Sequence, residues 1–174
     1  MFLKRTTDRP IGCLLFLISL QVYASDEDAR YRAAGHPATT VSQFKELSLD
    51  KNASIRKRVA SNRKTPVTIL RNLALDTEQS VKIALATNLS APDDVFIILA
   101  QDKMQAVRSV VARFEYVPVA ALEILANDHN VDIRLEVARN LNSNKAILSR
   151  LLHDSDPSVR MLAEQALQRL IDEK

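Results

Sequence analysis

The chain has 174 residues, 47% of them hydrophobic and 26% charged, and a formal net charge of +3 at pH 7. Two glycines are too few for a glycine-rich phosphate-binding loop, and a single cysteine, Cys13, excludes an intrachain disulfide.

Residues 1–24 have the features of a secretory signal peptide. A positively charged N-terminal region is followed by an apolar stretch over 11–20, which is too short to span a membrane. Small residues precede the expected cleavage site between Ala24 and Ser25. Cys13 lies near the start of the apolar stretch rather than after it, which argues against a lipoprotein anchor. We expect cleavage after Ala24 and a periplasmic or secreted domain over 25–174; the alternative is an uncleaved anchor. The cations at the start are Lys4, Arg5 and Arg9.

Cleavage would change the charge balance and the redox chemistry of the mature chain. Lysine plus arginine would fall from 24 to 21 and aspartate plus glutamate from 21 to 20, so we expect no nucleic acid as partner. Cys13 would be removed with the signal peptide, so the mature chain could form no disulfide or thiolate metal site.

From Ser25 onward the sequence is periodic. An aspartate recurs every 26 residues, and six residues after each one stands a cation. A fixed period of this length is typical of a solenoid, in which each unit packs only on its neighbours. Counting backward adds a unit over 24–49, with Arg30 in the cation column and Ala24 in place of the aspartate. The aspartate column is Asp50, Asp76, Asp102, Asp128 and Asp154; the cation column continues with Arg56, Lys82, Arg108, Arg134 and Arg160.

Each unit contains the pattern of two short helices. Apolar residues five and nine positions after the aspartate, such as Ile55 and Val59, share one helical face, and Asn52 is a good N-cap. An asparagine twelve positions on is expected to end the first helix in the left-handed conformation, and a proline such as Pro66 to occupy the first position of the second helix. We predict an all-α, right-handed α-solenoid of five full units, each with an α-helix and a short second helix of α or 3₁₀ type, and a C-terminal capping helix over 157–171. The asparagine column is Asn62, Asn88 and Asn140.

The segments LSLDKNASIRKRVASNRKTPVTIL and LLHDSDPSVRMLA resemble the leucine-rich repeat variant family, whose units read like LAxDxxxxVRxxVAxNxxTPxxVL. The resemblance covers about 24–167. It implies an α-solenoid of alternating α- and 3₁₀-type helices, related in outline to HEAT and armadillo arrays. The family label carries no defined activity.

The aspartate and cation columns have two interpretations. They can pair within or between units and hold the turns together, since shielded charge-assisted hydrogen bonds are worth roughly 1.5–3 kcal/mol. Alternatively, free cations could form a ladder for an anionic ligand. We favour the structural interpretation.

Two other surfaces are candidates for binding a partner. The basic stretch over 51–71 can form a patch for an acidic protein, phospholipid or polysaccharide, or simply a solvated face. In the middle of the array, isoleucines replace polar residues of the sibling units, which indicates either an apolar binding strip or a wider core. The candidate residues are Lys57, Arg58, Arg63 and Lys64 in the basic stretch, and Ile83, Ile97, Ile98 and Ile124 in the strip.

The unit that begins at Asp102 departs most from the repeat. Where its siblings have an asparagine turn it has Arg113-Phe114-Glu115-Tyr116. Exposed aromatic residues in a polar turn are typical interface anchors. Phe114 could instead fold inward and fill the space where Leu89 and Leu141 pack in the flanking turns.

Neither catalysis nor metal binding has a clear signature. His36, His129 and His153 occupy three different repeat positions, and histidines scattered in polar turns are usually solvated, although His129 and His153 flank consecutive aspartates. No Ser–His–Asp or paired-carboxylate arrangement stands apart from the columns. We therefore expect no enzyme, cofactor or metal.

Our hypothesis is an exported scaffold, adaptor or assembly factor that binds another protein. The alternative is a HEAT-like protein that holds an anionic envelope ligand or nucleotide through its groove cations, with or without enzymatic activity.

Overall fold

The computed structural model describes residues 27–172, and the predicted signal peptide lies outside them. Within that range the chain is all-α, a series of short helices separated by turns. The helices form five pairs followed by a longer final helix. They are α1 (Glu27–Gly35), α2 (Val41–Leu47), α3 (Ala53–Ser61), α4 (Val67–Leu73), α5 (Gln79–Ala86), α6 (Asp93–Ala100), α7 (Gln105–Arg113), α8 (Val119–Leu125), α9 (Val131–Arg139), α10 (Lys145–Leu151) and α11 (Pro157–Asp172).

The helices are arranged as a helical repeat with two layers. The first helices α1, α3, α5, α7, α9 and α11 pack on one another in chain order. Each second helix packs against the first helix of its own pair and the one that follows, and α6 also contacts α4 and α8. Every helix therefore buries its apolar face against its neighbours in the array, as expected of a solenoid.

The core is formed by the apolar columns of the repeat. Ile55 and Val59 of α3 are fully buried, as are Leu70 of α4 and their counterparts in the later units. Each fully buried aliphatic side chain of this size contributes about 1.5–3 kcal/mol. The core thus runs through the whole series of helices.

Helix starts follow the sequence closely. Asn52 and Asn130 cap α3 and α9 by accepting from backbone N–H groups at the start of the helix, and Asp156 accepts from the N–H of Ser158. Pro157 is the first residue of α11. Pro66 is the N-cap of α4 rather than its first helical residue; Pro92 and Pro118 have the same place in α6 and α8.

One expectation for the turns is wrong. Asn62 and Asn140 have φ of −80° and −68°, and no residue within 27–172 has a positive φ. These asparagines are extended because their side chains bond to the preceding unit, as described below. The second helices, expected to be of α or 3₁₀ type, are α-helical over seven or eight residues.

No helix within residues 27–172 combines the length and the apolar character needed to cross a membrane.

Candidate functional site

From Arg30 to Arg134, each cation of the cation column joins two successive units. Arg56 pairs with Asp76 of the next unit, with its Nε 2.7 Å from Oδ2 and its Nη2 3.0 Å from Oδ1. Its Nη1 donates to the backbone carbonyl of Asp50, at the start of its own unit, at 2.8 Å. Asp76 also accepts the backbone N–H of Glu78, so its carboxylate closes its own turn while holding the previous unit.

The same pairing recurs along the chain. Arg30, Lys82, Arg108 and Arg134 each bond to the aspartate 20 residues later. The paired side chains are largely shielded: Arg134 is 13% exposed and Asp154 8%. We call this series of pairs the ladder. Its cations are held by carboxylates, which removes the main support for the hypothesis that they bind an anionic ligand.

Arg160, the last member of the cation column, differs from the others. It is exposed and donates only to the backbone carbonyls of Asp154 and Ser155, at 2.7 and 3.0 Å, within the part of the chain that the structure describes. No further unit follows there to supply a carboxylate, so Arg160 is a natural control for the ladder.

The ladder lowers the pKa of three carboxyl groups, those of Asp76, Asp128 and Asp154. For Asp154, the hydrogen bond from Arg134 lowers the pKa and outweighs burial, which acts to raise it. For Asp76, burial is the largest influence and raises the pKa, but the hydrogen bonds from Arg56 and the Glu78 N–H, together with nearby positive charge, lower it overall. Asp128 behaves in the same way through Arg108 and the Asn130 N–H. These carboxylates stay ionised and paired at neutral pH.

A second series of inter-unit bonds is made by the asparagine column. The Nδ2 of Asn88 donates to the carbonyl of Ala60 at 2.6 Å, and its Oδ1 accepts the Ser90 N–H at 2.8 Å. Asn62 and Asn140 bond to Ala34 and Ala112 in the same way. Each asparagine thus satisfies a carbonyl at the end of the preceding first helix, which has no partner within that helix.

Phe114 occupies the asparagine column and interrupts this series. It is half-buried, and its ring stacks on Phe96 at 5.6 Å between centroids with an interplanar angle of 13°. The Tyr116 ring meets Phe114 edge-on at 5.9 Å, and this residue is 63% exposed. Within residues 27–172 no side chain donates to the Ala86 carbonyl, which an asparagine at 114 would reach. The turn has therefore replaced a structural hydrogen bond with an aromatic cluster in which Phe96 is buried, Phe114 packs against the core and Tyr116 is exposed to solvent.

The expectation that Leu89 and Leu141 pack in the flanking turns is wrong. Leu89 is 45% exposed and Leu141 74% exposed. With Tyr116 they place one large apolar side chain on each of three successive turns. Arg113, also a candidate, is exposed beside them at the end of α7.

The isoleucines of the proposed apolar strip are only half-exposed. Ile83, Ile98 and Ile124 pack against the core, and Ile97 is likewise intermediate in exposure. Their positions fit a wider core better than a flat binding strip.

Two residues of the basic stretch line a groove between α1 and α3. Lys57 and Arg58 are exposed there, together with Tyr31, Ser54 and Ser61, around a volume of about 350 Å³. The Arg58 guanidinium lies over the Tyr31 ring, 5.4 Å from its centroid. Arg63 and Lys64 are exposed in the turn after α3 and do not line the groove.

The histidines take part in local contacts. His129 Nδ1 is 3.4 Å from Asp128 and its Nε2 is 3.3 Å from Arg108 Nη2, so it lies beside the ladder. His153 Nδ1 lies 3.2 Å from the Ser149 carbonyl, and the His36 Nδ1 accepts the Ala38 N–H. Among residues 27–172, no three His, Cys, Asp or Glu side chains are grouped so as to hold a metal ion.

Sequence reasoning missed the groove residues Tyr31, Ser54 and Ser61. A signal was available, because Tyr31 and Lys57 occupy the same position of successive units and must lie side by side if first helices stack in register.

No protein-family model matches the chain, and no curated protein matches it. Among solved structures it is similar to one described as a leucine-rich repeat variant with a novel repetitive protein structural motif. The identity is 21% over 91% of this chain and 72% of the other, with a TM-score of 0.39. Over most of its length the chain is therefore similar to a leucine-rich repeat variant, the family that its repeats resemble.

Proposed function

We propose that the protein is an exported, non-catalytic scaffold or adaptor that binds another protein through side chains that its repeat does not need. In this proposal the chain is a right-handed α-solenoid of 26-residue units, and the ladder and asparagine column hold the units in register. The exposed residues that differ between units then provide specific contacts. A repeat fold of stacked helices is well suited to this use because it offers an extended surface.

The observation that carries the proposal is the aromatic turn of Phe114 and Tyr116. In three other units this position holds an asparagine that bonds to the preceding unit. Here an exposed tyrosine rests on a half-buried phenylalanine, and Leu89 and Leu141 extend the apolar character to the adjacent turns. Tyrosine anchors of this kind supply much of the binding energy in protein interfaces.

The alternative, an anionic ligand or nucleotide held by the cation column, has less support. From Arg30 to Arg134 each of these cations bonds to a carboxylate of the next unit, so binding an anion would require breaking a shielded pair.

The interface is tested by the double variant Phe114→Asn and Tyr116→Ser. The asparagine can restore the bond to the Ala86 carbonyl, which offsets the lost stacking of about 0.5–1.5 kcal/mol, so we expect a melting curve close to that of wild type. Binding to a partner captured from the envelope fraction should weaken by about 2 kcal/mol or more. Circular dichroism and titration calorimetry measure the two quantities.

Leu75→Ser is the matched control, since Leu75 is 72% exposed and lies in a different turn, between α4 and α5. It should bind as wild type does. Unfolding of the double variant would show that Phe114 is a core residue. If the double variant folds normally and binds with unchanged affinity, the aromatic turn is not part of the interface.

Export has its own test. Protein recovered from the native host should begin at Ser25, because Ala24 fits the small-residue requirement of signal peptidase. Amino-terminal sequencing after fractionation measures this. Recovery of intact Met1 from the cytoplasm would contradict the proposed localisation.

A further inference from the structure

The groove between α1 and α3 is built from residues that the solenoid does not use. In α5, α7, α9 and α11, the residues at the repeat positions of Lys57 and Arg58 are uncharged or acidic. The ladder cations, by contrast, recur from Arg30 to Arg134 and form shielded pairs. The replacements are Ile83 and Ala84, Ser109 and Val110, Leu135 and Glu136, and Met161 and Leu162.

The groove cations have no carboxylate partner within residues 27–172. Neither Lys57 nor Arg58 forms an ion pair there, although the adjacent Arg56 is paired with Asp76. No carboxylate lines the groove itself; Asp28 lies on the same helix as Tyr31, one turn earlier. The groove therefore keeps an excess of positive charge that nothing on its walls neutralises.

Arg58 is held in position by two features of α1. Its guanidinium rests over the Tyr31 ring, a cation–π contact. It also lies against Gly35, where an added Cβ would overlap Nε and Cζ of Arg58. Glycine at the end of α1 thus leaves the space that the guanidinium occupies. Such positioning lowers the entropy that Arg58 would lose on binding.

We propose that this groove binds an acidic peptide segment of a partner protein, with glutamate or aspartate carboxylates against Arg58 and Lys57. A guanidinium matches the planar geometry of a carboxylate and can bind both of its oxygens, and the Ser54 hydroxyl adds a donor. The inference rests on the proposed protein-binding function and specifies the chemistry of one contact.

The charge distribution favours a peptide over an anionic membrane. Membrane association of this kind typically uses a cluster of about 4–8 lysines and arginines on one surface. In the basic stretch, Arg56 and Arg71 are paired with Asp76 and Asp94, and Lys51 lines a separate groove. Arg63 and Lys64 are exposed in the turn after α3 and lie outside the groove. Two cations in a groove of about 350 Å³ suit carboxylates carried by a narrow chain.

The test uses the full-length protein and a short fluorescein-labelled peptide rich in glutamate, followed by fluorescence anisotropy. A peptide with glutamine in place of glutamate is the ligand control. Arg58→Gln and Lys57→Gln should each weaken binding of the glutamate peptide at least tenfold. Binding should also weaken as salt is raised, because the contacts are solvent-accessible ion pairs.

Two further variants separate a built site from bulk charge. Gly35→Ala keeps every charge but displaces Arg58, and it should weaken binding severalfold with an unchanged melting curve. Lys145→Gln removes an exposed cation at the start of α10 and should bind as wild type does. Equal loss in Lys145→Gln and Arg58→Gln, or equal binding of the glutamine peptide, would overturn the proposal.

Outcomes for other partners are also decisive. If the protein sediments with phosphatidylglycerol vesicles in a way that depends on Arg58, and does not bind the glutamate peptide, the groove binds a membrane surface and the peptide proposal is refuted. If wild type and Arg58→Gln capture the same envelope protein with equal affinity, the groove inference fails while the scaffold function stands. If wild type captures no protein, the scaffold function itself fails.

Discussion

Replacing Arg134 by alanine is expected to lower the free energy of unfolding by about 3 kcal/mol, because the change leaves the shielded Asp154 carboxylate without its cation. It also removes the hydrogen bond to the Asp128 carbonyl, which ties the pair to the preceding turn. Urea denaturation followed by circular dichroism measures the change.

Arg160→Ala is the control for this prediction. It removes the same side chain from the same repeat position, but Arg160 is exposed and bonds only to backbone carbonyls within the described range. We expect a loss within about 0.5–1 kcal/mol. Equal losses in the two variants would show that the carboxylate pairing contributes little.

The pH dependence of the same two proteins provides an independent readout. Arg134 holds the pKa of Asp154 below its ordinary value of about 3.9. The stabilisation from this pair is therefore fully present above that ordinary value and is lost as the pH falls through the lower folded-state pKa. The difference in stability between wild type and Arg134→Ala should be constant at neutral pH and should shrink below about pH 4. A difference that persists unchanged at pH 2 would contradict an electrostatic origin.

Asn88→Ala should cost about 2 kcal/mol of unfolding free energy. Asn88 is buried, and its loss leaves the Ala60 carbonyl and the Ser90 N–H without their side-chain partner. Leaving a buried polar group unsatisfied costs about 1–3 kcal/mol. Denaturant melts of the variant and wild type measure the loss.

Asn127→Ala is the matched control for Asn88→Ala. Asn127 is exposed and donates to the Glu123 carbonyl, a contact that water can replace. Its removal should change stability by no more than about 0.5 kcal/mol. If Asn88→Ala melted like this control, the asparagine column would not hold the units together.

The sequence by itself determined the helix pairs and the core. Apolar residues such as Ile55 and Val59 recur at helical spacing in every unit, and each recurrence strengthens the same local prediction. The aspartates and cations were likewise identifiable as a structural set, because they recur together every 26 residues from Asp50 to Arg160. The spacing could not determine which aspartate each cation pairs with. Arg56 bonds to Asp76 of the next unit rather than to the carboxylate of Asp50.

The tertiary structure decided the contacts between units and the effect of residues that break the period. Asn62 looked like a left-handed helix end, but the bond from its side chain to Ala34, 28 residues earlier, keeps its backbone extended. The stacking of Phe114 on Phe96 and the approach of Arg58 to Tyr31 are also contacts between neighbouring units. A period specifies what each unit contains, whereas such contacts depend on how one unit is placed on the next. Residues that occur once carry no periodic signal, so their surroundings emerge only when the helices are packed.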